Sequence, residues 1–230
     1  MASHTALEPS RNTPESAMPS HPDKASASDK TATPDKAGTL LIACGALARE
    51  IQAVIAANGL GDSLSFTCLP AILHNRPEQI ADRLRQRIAT ARAQGWRQIA
   101  VAYADCGTGG AIDQVCADEG VDRIPGPHCY AFFAGYAEFD ALHDAEPGTF
   151  YLTDFLARHF DRLVIEGLGL DRHPQLLPLY FGNYRRLIYL AQVDDAGLDA
   201  KAEAAAARLG LAYERRLTGY GELAAFIRAA

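Results

Sequence analysis

Val101-Ala-Tyr-Ala-Asp-Cys-Gly-Thr-Gly-Gly110 begins as a short apolar run and breaks into a polar, glycine-rich loop with Cys106 at the break. A run of that length feeding a glycine loop suits a buried parallel strand that leads into a helix. In open α/β sheets, reactive groups gather in the crevice beyond the carboxyl ends of such strands. Cys106 is expected there. Two further segments, one ending in Cys44 and one containing His128-Cys129, are placed to meet it.

Working outward from this stretch, the same pattern recurs. Thr39-Leu-Leu-Ile-Ala-Cys44 reads as a first strand, apolar on both faces, followed by Gly45 and a helix from about Ala46 to Ala57. Leu47, Ile51, Val54 and Ile55 share one face of that helix. Leu64-Ser-Phe-Thr-Cys-Leu69 alternates as a half-buried strand does, with Leu64, Phe66 and Cys68 on one side. A long helix starts at Pro77, a residue favoured at the first helical position. Ile80, Leu84, Ile88 and Ala91 form its buried stripe, and Arg83, Arg85, Arg87 and Arg92 its wet side. Gln98–Tyr103 is a third strand, Ala111–Glu119 a helix, Arg123-Ile124 a short strand, and Tyr130–Tyr136 a further helix. This alternation predicts an α/β fold, a mostly parallel sheet with helices on both faces and right-handed crossovers.

Residues 137–184 carry weaker signals. Pro147-Gly148 marks a turn, Thr153 or Asp154 can cap a helix running to Leu163, and 168–184 reads as irregular. A strand at Arg186–Ala191, an alanine-rich helix to about Leu209, a strand at Leu211–Arg215 and a helix at Glu222–Arg228 close the chain. The organisation expected is a tail over 1–37 and one α/β domain over 38–230, with room for two Rossmann-like lobes at 38–136 and 137–230.

The chain has 230 residues, 48% hydrophobic, and a net charge of −6. That supplies a sizeable core and no electrostatic reason to bind nucleic acid or an anionic membrane. Nothing approaches the roughly 18 to 20 apolar residues of a membrane span. Residues 1–37 are rich in Ser, Pro, Ala, Thr, Asp and Lys with a single leucine, Leu7, a composition expected to stay disordered. They lack the apolar centre of a secretory signal and carry too many acids for a transit peptide. A cytoplasmic location is the expectation, and there five cysteines do not form a disulfide framework.

The cysteines sort by position. Cys116 shares a helical face with Ile112 and Val115, and Cys68 a strand face with Leu64 and Phe66, so both read as core. Cys44 and Cys106 sit where apolar strands give way to glycine, and Cys129 opens a helix, where a thiolate is favoured. Two readings stand: three small residues plugging tight turns, or a shared metal or redox site. Without a CxxC pair there is no zinc-ribbon or thioredoxin signal. Three thiolates plus a histidine or a ligand would satisfy a catalytic zinc or an iron–sulfur cluster with one open position. His74 follows the second strand in a polar loop within reach of the crevice, and His128 adjoins Cys129. Asp105 is placed to orient a ligand or hold a proton, or to serve as an ordinary turn residue. Gly107, Gly109 and Gly110 precede a helix and are candidates to cradle a phosphate, although they match neither GxGxxG nor the P-loop.

Cys44 after an apolar strand, Leu73-His74-Asn75-Arg76-Pro77-Glu78, Tyr103-Ala-Asp-Cys-Gly107, Gly126-Pro-His-Cys-Tyr130 and Pro147-Gly-Thr-Phe-Tyr-Leu152 together resemble domain-of-unknown-function family 1638. The resemblance implies a role beside corrinoid-dependent methyltransferases and their activators, such as keeping a cobalamin-dependent methionine synthase active. It places the family's Cys, His, Cys and His-Cys pattern on Cys44, His74, Cys106, His128 and Cys129. Asp171-Arg-His173-Pro-Gln-Leu176 departs from the Asp-x-His-x-x-Gly of a corrinoid-binding domain, so a corrinoid is expected on a partner, a corrinoid protein or methyltransferase subunit. The function expected is that of a metal–thiolate protein in one-carbon metabolism, a methyltransferase subunit or an accessory protein. Zinc is favoured slightly over an iron–sulfur cluster. The alternatives are a two-cysteine racemase, against which stands the lack of cysteine after Leu187, and a non-catalytic binding module.

Overall fold

A computed structural model describes residues 35–230. The tail assigned to 1–37 therefore lies almost wholly outside the described residues. Its last two positions belong instead to the first strand, β1 (Lys36–Cys44). Lys36 N donates to Gly95 O at 2.9 Å, and the Lys36 ammonium lies over the Trp96 ring at 4.9 Å. Gly38 makes this extension possible. Its φ is +82°, and a Cβ there would lie 2.2 Å from Ser63 O. The register of β1 shifts across this point.

β1 is joined by β2 (Leu64–Leu69), β3 (Trp96–Ala102) and β4 (Asp122–Arg123) in a parallel sheet of order β2-β1-β3-β4. Side chains alternate across it, as the pleat requires. Leu41, Ala43, Ala100 and Ala102 enter one core, and Leu40, Ile42, Ile99 and Val101 the other. Helix α1 (Ala48–Ala57) follows a tight turn at Gly45–Leu47 and lays Ile51 and Val54 on the first core. Helix α2 (Ile80–Ala93) lays Ile80, Leu84 and Ile88 on the second, with α3 (Ala111–Glu119) beside it through Ile112, Val115 and Cys116. The chain thus leaves β1 toward β2, then crosses to β3 on the other side. Strand order reverses between β1 and β3, and their carboxyl ends open onto a crevice.

Helices α4 (Cys129–Ala134) and α5 (Tyr136–Ala145) come next. A second parallel sheet has the order β5-β6-β7, from β5 (Thr149–Thr153), β6 (Arg186–Ala191) and β7 (Ala212–Leu217). After β5 come α6 (Asp154–Arg158), a π-helical turn at Asp161–Ile165 and α7 (Leu177–Phe181). Thr153 caps α6, its hydroxyl accepting from Leu156 N. The helix expected to run to Leu163 instead breaks at His159 and resumes in the π-helical turn. Helix α8 (Ala196–Leu209) joins β6 to β7, and α9 (Gly221–Ala229) returns to pack on α1 and α4 of the first sheet. Tyr151, Ile188 and Leu190 of the second sheet share a core with Leu41 and Ala43 of the first, and Leu223 and Ile227 of α9 complete it. Among the described residues no helix is long and apolar enough to cross a membrane.

Candidate functional site

The crevice beyond β1 and β3 holds a cavity of about 200 Å³. Its floor is the first sheet's carboxyl end. Its roof is the run of α6, the π-helical turn and α7, with Phe150 at the side. Cys44, Cys106 and Cys129, from three separate strand ends, all line it, and so does His74. Asp105, His128, Gly107, Gly109 and Gly110 are not on its wall. Cys116 is buried in the second core, and Cys68 packs against the first.

Each thiol is positioned by a different local device. Cys44 is the last residue of β1 and caps the tight turn at Gly45–Leu47 with extended backbone. Cys106 has φ +49°, and it is the one residue other than glycine with positive φ among the described residues. Its loop is tied down on both sides. Asp105 N donates to Gly126 O at 3.0 Å and Cys106 N to Pro127 O at 2.7 Å. The Asp105 carboxylate then accepts from Thr108 Oγ1 at 2.5 Å, Gly110 N at 2.8 Å and Gly109 N at 3.1 Å. Burial would raise the Asp105 pKa, but these donors outweigh it and hold the carboxyl below the usual carboxylate range. Asp105 is thus the knot of the loop that presents Cys106, and the amides of Gly109 and Gly110 are already engaged by it. Cys129 opens α4, preceded by His128 in extended conformation as its N-cap.

The three sulfurs share one electrostatic problem. Cys44, Cys106 and Cys129 keep some surface on the cavity while protein surrounds them on every other side. Burial pushes all three thiols up, Cys106 to about 12. The charge of Cys44 raises Cys106, and those of Cys106 and Cys44 raise Cys129. Cys68, one position before the β2 residue that pairs with Cys44, is pushed up to about 11 by burial and by Cys44. No lysine or arginine lines the cavity to offset this. As they stand, the three are neutral thiols and poor nucleophiles.

Two tyrosines that sequence reasoning passed over complete the floor. Tyr103 is 1% exposed and lines the cavity, and its buried hydroxyl faces the Cys44 thiol with no oxygen or nitrogen accepting from it. The signal was available: a phenol at the end of an otherwise aliphatic strand. Tyr130 stacks on Tyr151 with ring centroids 5.4 Å apart. At the mouth, His74 is exposed in the turn Ala71–Asn75. Its surface is open, yet the protein on the ring's inner side, and then His128, lower its pKa from the usual imidazole value. Beside it, Asn75 Nδ2 reaches Leu163 O at 3.5 Å, joining the first sheet's loop to the roof. His128 keeps its Nδ1 buried without a partner.

Cysteine sulfur is the donor type that thiophilic metals take. No cation lines the cavity with the three cysteines, and Arg123 behind the wall only partly offsets the rise at Cys106, so a bound divalent ion is what would convert them to thiolates. Among the described residues no three His, Cys, Asp or Glu side chains form a group that could hold a metal ion.

Fold and site together define an α/β protein with a thiol-lined apolar cavity at the switch point of a parallel sheet. The chain belongs to the family described as Protein of unknown function (DUF1638), whose profile matches residues 68–227. Comparison with curated proteins and with solved structures gives no match.

Proposed function

We propose that the chain is a metal–thiolate protein of corrinoid-dependent methyl-group metabolism, a methyltransferase subunit or an accessory to a cobalamin-dependent methionine synthase. The observation that carries the metal part is the meeting of Cys44, Cys106 and Cys129 on one cavity that contains no other charge partner. The corrinoid part rests on the likeness of the motifs around these residues. The corrinoid comes on a partner protein.

Cys44, Cys106 and Cys129 would be the residues that hold a zinc ion. Bound zinc supplies Lewis acidity, which keeps a substrate sulfur as thiolate and makes it a methyl acceptor. His74, neutral and at the mouth, accepts the proton that the substrate thiol gives up, at a ring nitrogen. Asp105 positions Cys106 through the loop. Phe155, Leu156, Val164 and Phe181 exclude water from the reacting sulfur.

Anaerobic purification with metal quantification and a visible spectrum tests this reading. The expected result is about one zinc per chain and no colour. Cys106→Ser should lose the metal, and Cys116→Ser, altered in the core, should keep it. A brown protein with iron and sulfide would replace zinc by a cluster on the same thiols. A metal-free protein would sink the proposal.

A further inference from the structure

The cavity wall carries a second piece of information, which is its lack of charge. It is made from three thiols, His74, Asn75, Thr153, two tyrosines, and otherwise alanine, leucine, valine and phenylalanine. No aspartate, glutamate, lysine or arginine is on it. Recognition of an amino acid, a sulfonate or a phosphate requires counter-charges or several converging donors, because a desolvated unpaired ion is strongly disfavoured. The wall offers no such group opposite the thiols. What it offers is a hydrocarbon surface and one poorly served donor: Tyr103 Oη is buried with no oxygen or nitrogen accepting from it, and its neighbour is the Cys44 thiol, a weak acceptor. A ligand with a single acceptor atom would satisfy it.

Size narrows the class further. An apolar cavity of about 150 Å³ accommodates a benzene ring. The cavity here, about 200 Å³, has room for one ring or a short branched chain with a small substituent. Phe150, Phe155 and Phe181 put three aromatic rings on the cavity wall.

We infer that the molecule bound beside the three thiols is a neutral, largely apolar thiol or methyl thioether of about ring size, with its sulfur toward the cysteines, and not an amino-acid, sulfonated or phosphorylated one. The assignment rests on the proposed function for the role of that sulfur as methyl donor or acceptor. The exclusion of charged molecules rests on the wall alone. It directs the chain away from acting on homocysteine itself.

Isothermal titration of the full chain, its metal counted beforehand, with thioanisole, 4-(methylthio)benzoate and L-methionine tests the inference. Thioanisole should bind, and the two charged compounds should bind at least about a hundredfold more weakly, the penalty of burying an unpaired carboxylate. Leu168→Lys gives the control. Leu168 lines the cavity and is partly exposed, so a lysine stem can follow the wall with its ammonium at the rim. This variant should gain affinity for 4-(methylthio)benzoate by about tenfold. Equal binding of the carboxylate and the neutral thioether by the unaltered chain would overturn the inference, as would no binding of thioanisole by protein that contains its zinc. Thioanisole binding by protein that never contained metal would sink the metal proposal and leave the neutral-ligand assignment standing.

Discussion

Cys106 occupies backbone space that a residue with a Cβ enters at a cost of about 1–2 kcal/mol. Gly107 follows it with φ +84°, so the loop has a glycine next door and places the thiol at the strained position anyway. If the side chain served only to fill space, glycine at 106 would be the better residue. Cys106→Gly is therefore expected to leave unfolding stability unchanged or to raise it by up to about 1 kcal/mol, measured by urea denaturation of the metal-free protein. A loss larger than about 1 kcal/mol would mean that the sulfur is a packing group. The position of the three thiols was legible because each ends an apolar run at a glycine or a helix start. Asp105 and the three glycines after it were legible as a loop. The loop's use of its own amides to hold Asp105 was not, because hydrogen-bond direction within five residues has no signature in residue type. Tyr103 carried a signal, a phenol where the apolar run ends, but a phenol there also reads as core until its hydroxyl is seen to face Cys44.

At the level of elements, the junction of β5 and α6 bears on the roof of the cavity. Asp154 is buried where β5 ends. Its Oδ1 accepts from Tyr189 Oη at 2.7 Å and from Gln192 N at 3.0 Å, and Arg158 Nη2 stands 3.6 Å from Oδ2. Asp154 N in turn donates to Gln192 Oε1 at 2.8 Å. Asp154→Ala would leave a phenol, an amide and a guanidinium without their acceptor. The expected loss is about 3 kcal/mol, read as a lowered denaturation midpoint with an unchanged slope. This junction also shows where sequence patterns fail. β1 to β4 and their helices could be read from apolar periodicity, since both faces of that sheet are buried. β5 could not. Thr149-Phe-Tyr-Leu-Thr153 has polar ends and only three apolar residues, and its burial comes from Arg186 and Glu146 satisfying Thr149 and from the network on Asp154. The helix expected over Tyr130–Tyr136 ends at Ala134, stopped by Gly135 at φ +88°, with α5 following it, and the break of α6 at His159 precedes a π-helical turn. Both are small backbone deviations inside segments of helical composition.

For the whole molecule, the chain's route matters more than its count of sheets. The two parallel sheets share one core. Helix α9 follows the last strand of the second sheet and then returns to cover α1 and α4. Gly221 allows that return: its φ is +47°, and a Cβ there would lie 2.2 Å from Phe132 O. Thr39 Oγ1 donates to Ala230 O at 2.7 Å, which brings the beginning of β1 against the far end of α9. The first core therefore draws on both sheets and on the closing helix, and neither half can complete it alone.

That return also decides how the protein can be handled in pieces. A fragment covering 35–147 would present the faces of Leu41, Ala43, Phe132 and Phe133 to water with nothing to seat on them. It should be recovered as aggregate, and 35–230 in calorimetry should melt in one transition whose van't Hoff and calorimetric enthalpies agree. Two resolved melting steps, or a soluble N-terminal half, would show that the halves are modular after all. On the interlaced route, exchange of a front half between relatives must carry residues 221–230 with it, because the last helix is tailored to a surface encoded almost two hundred positions earlier.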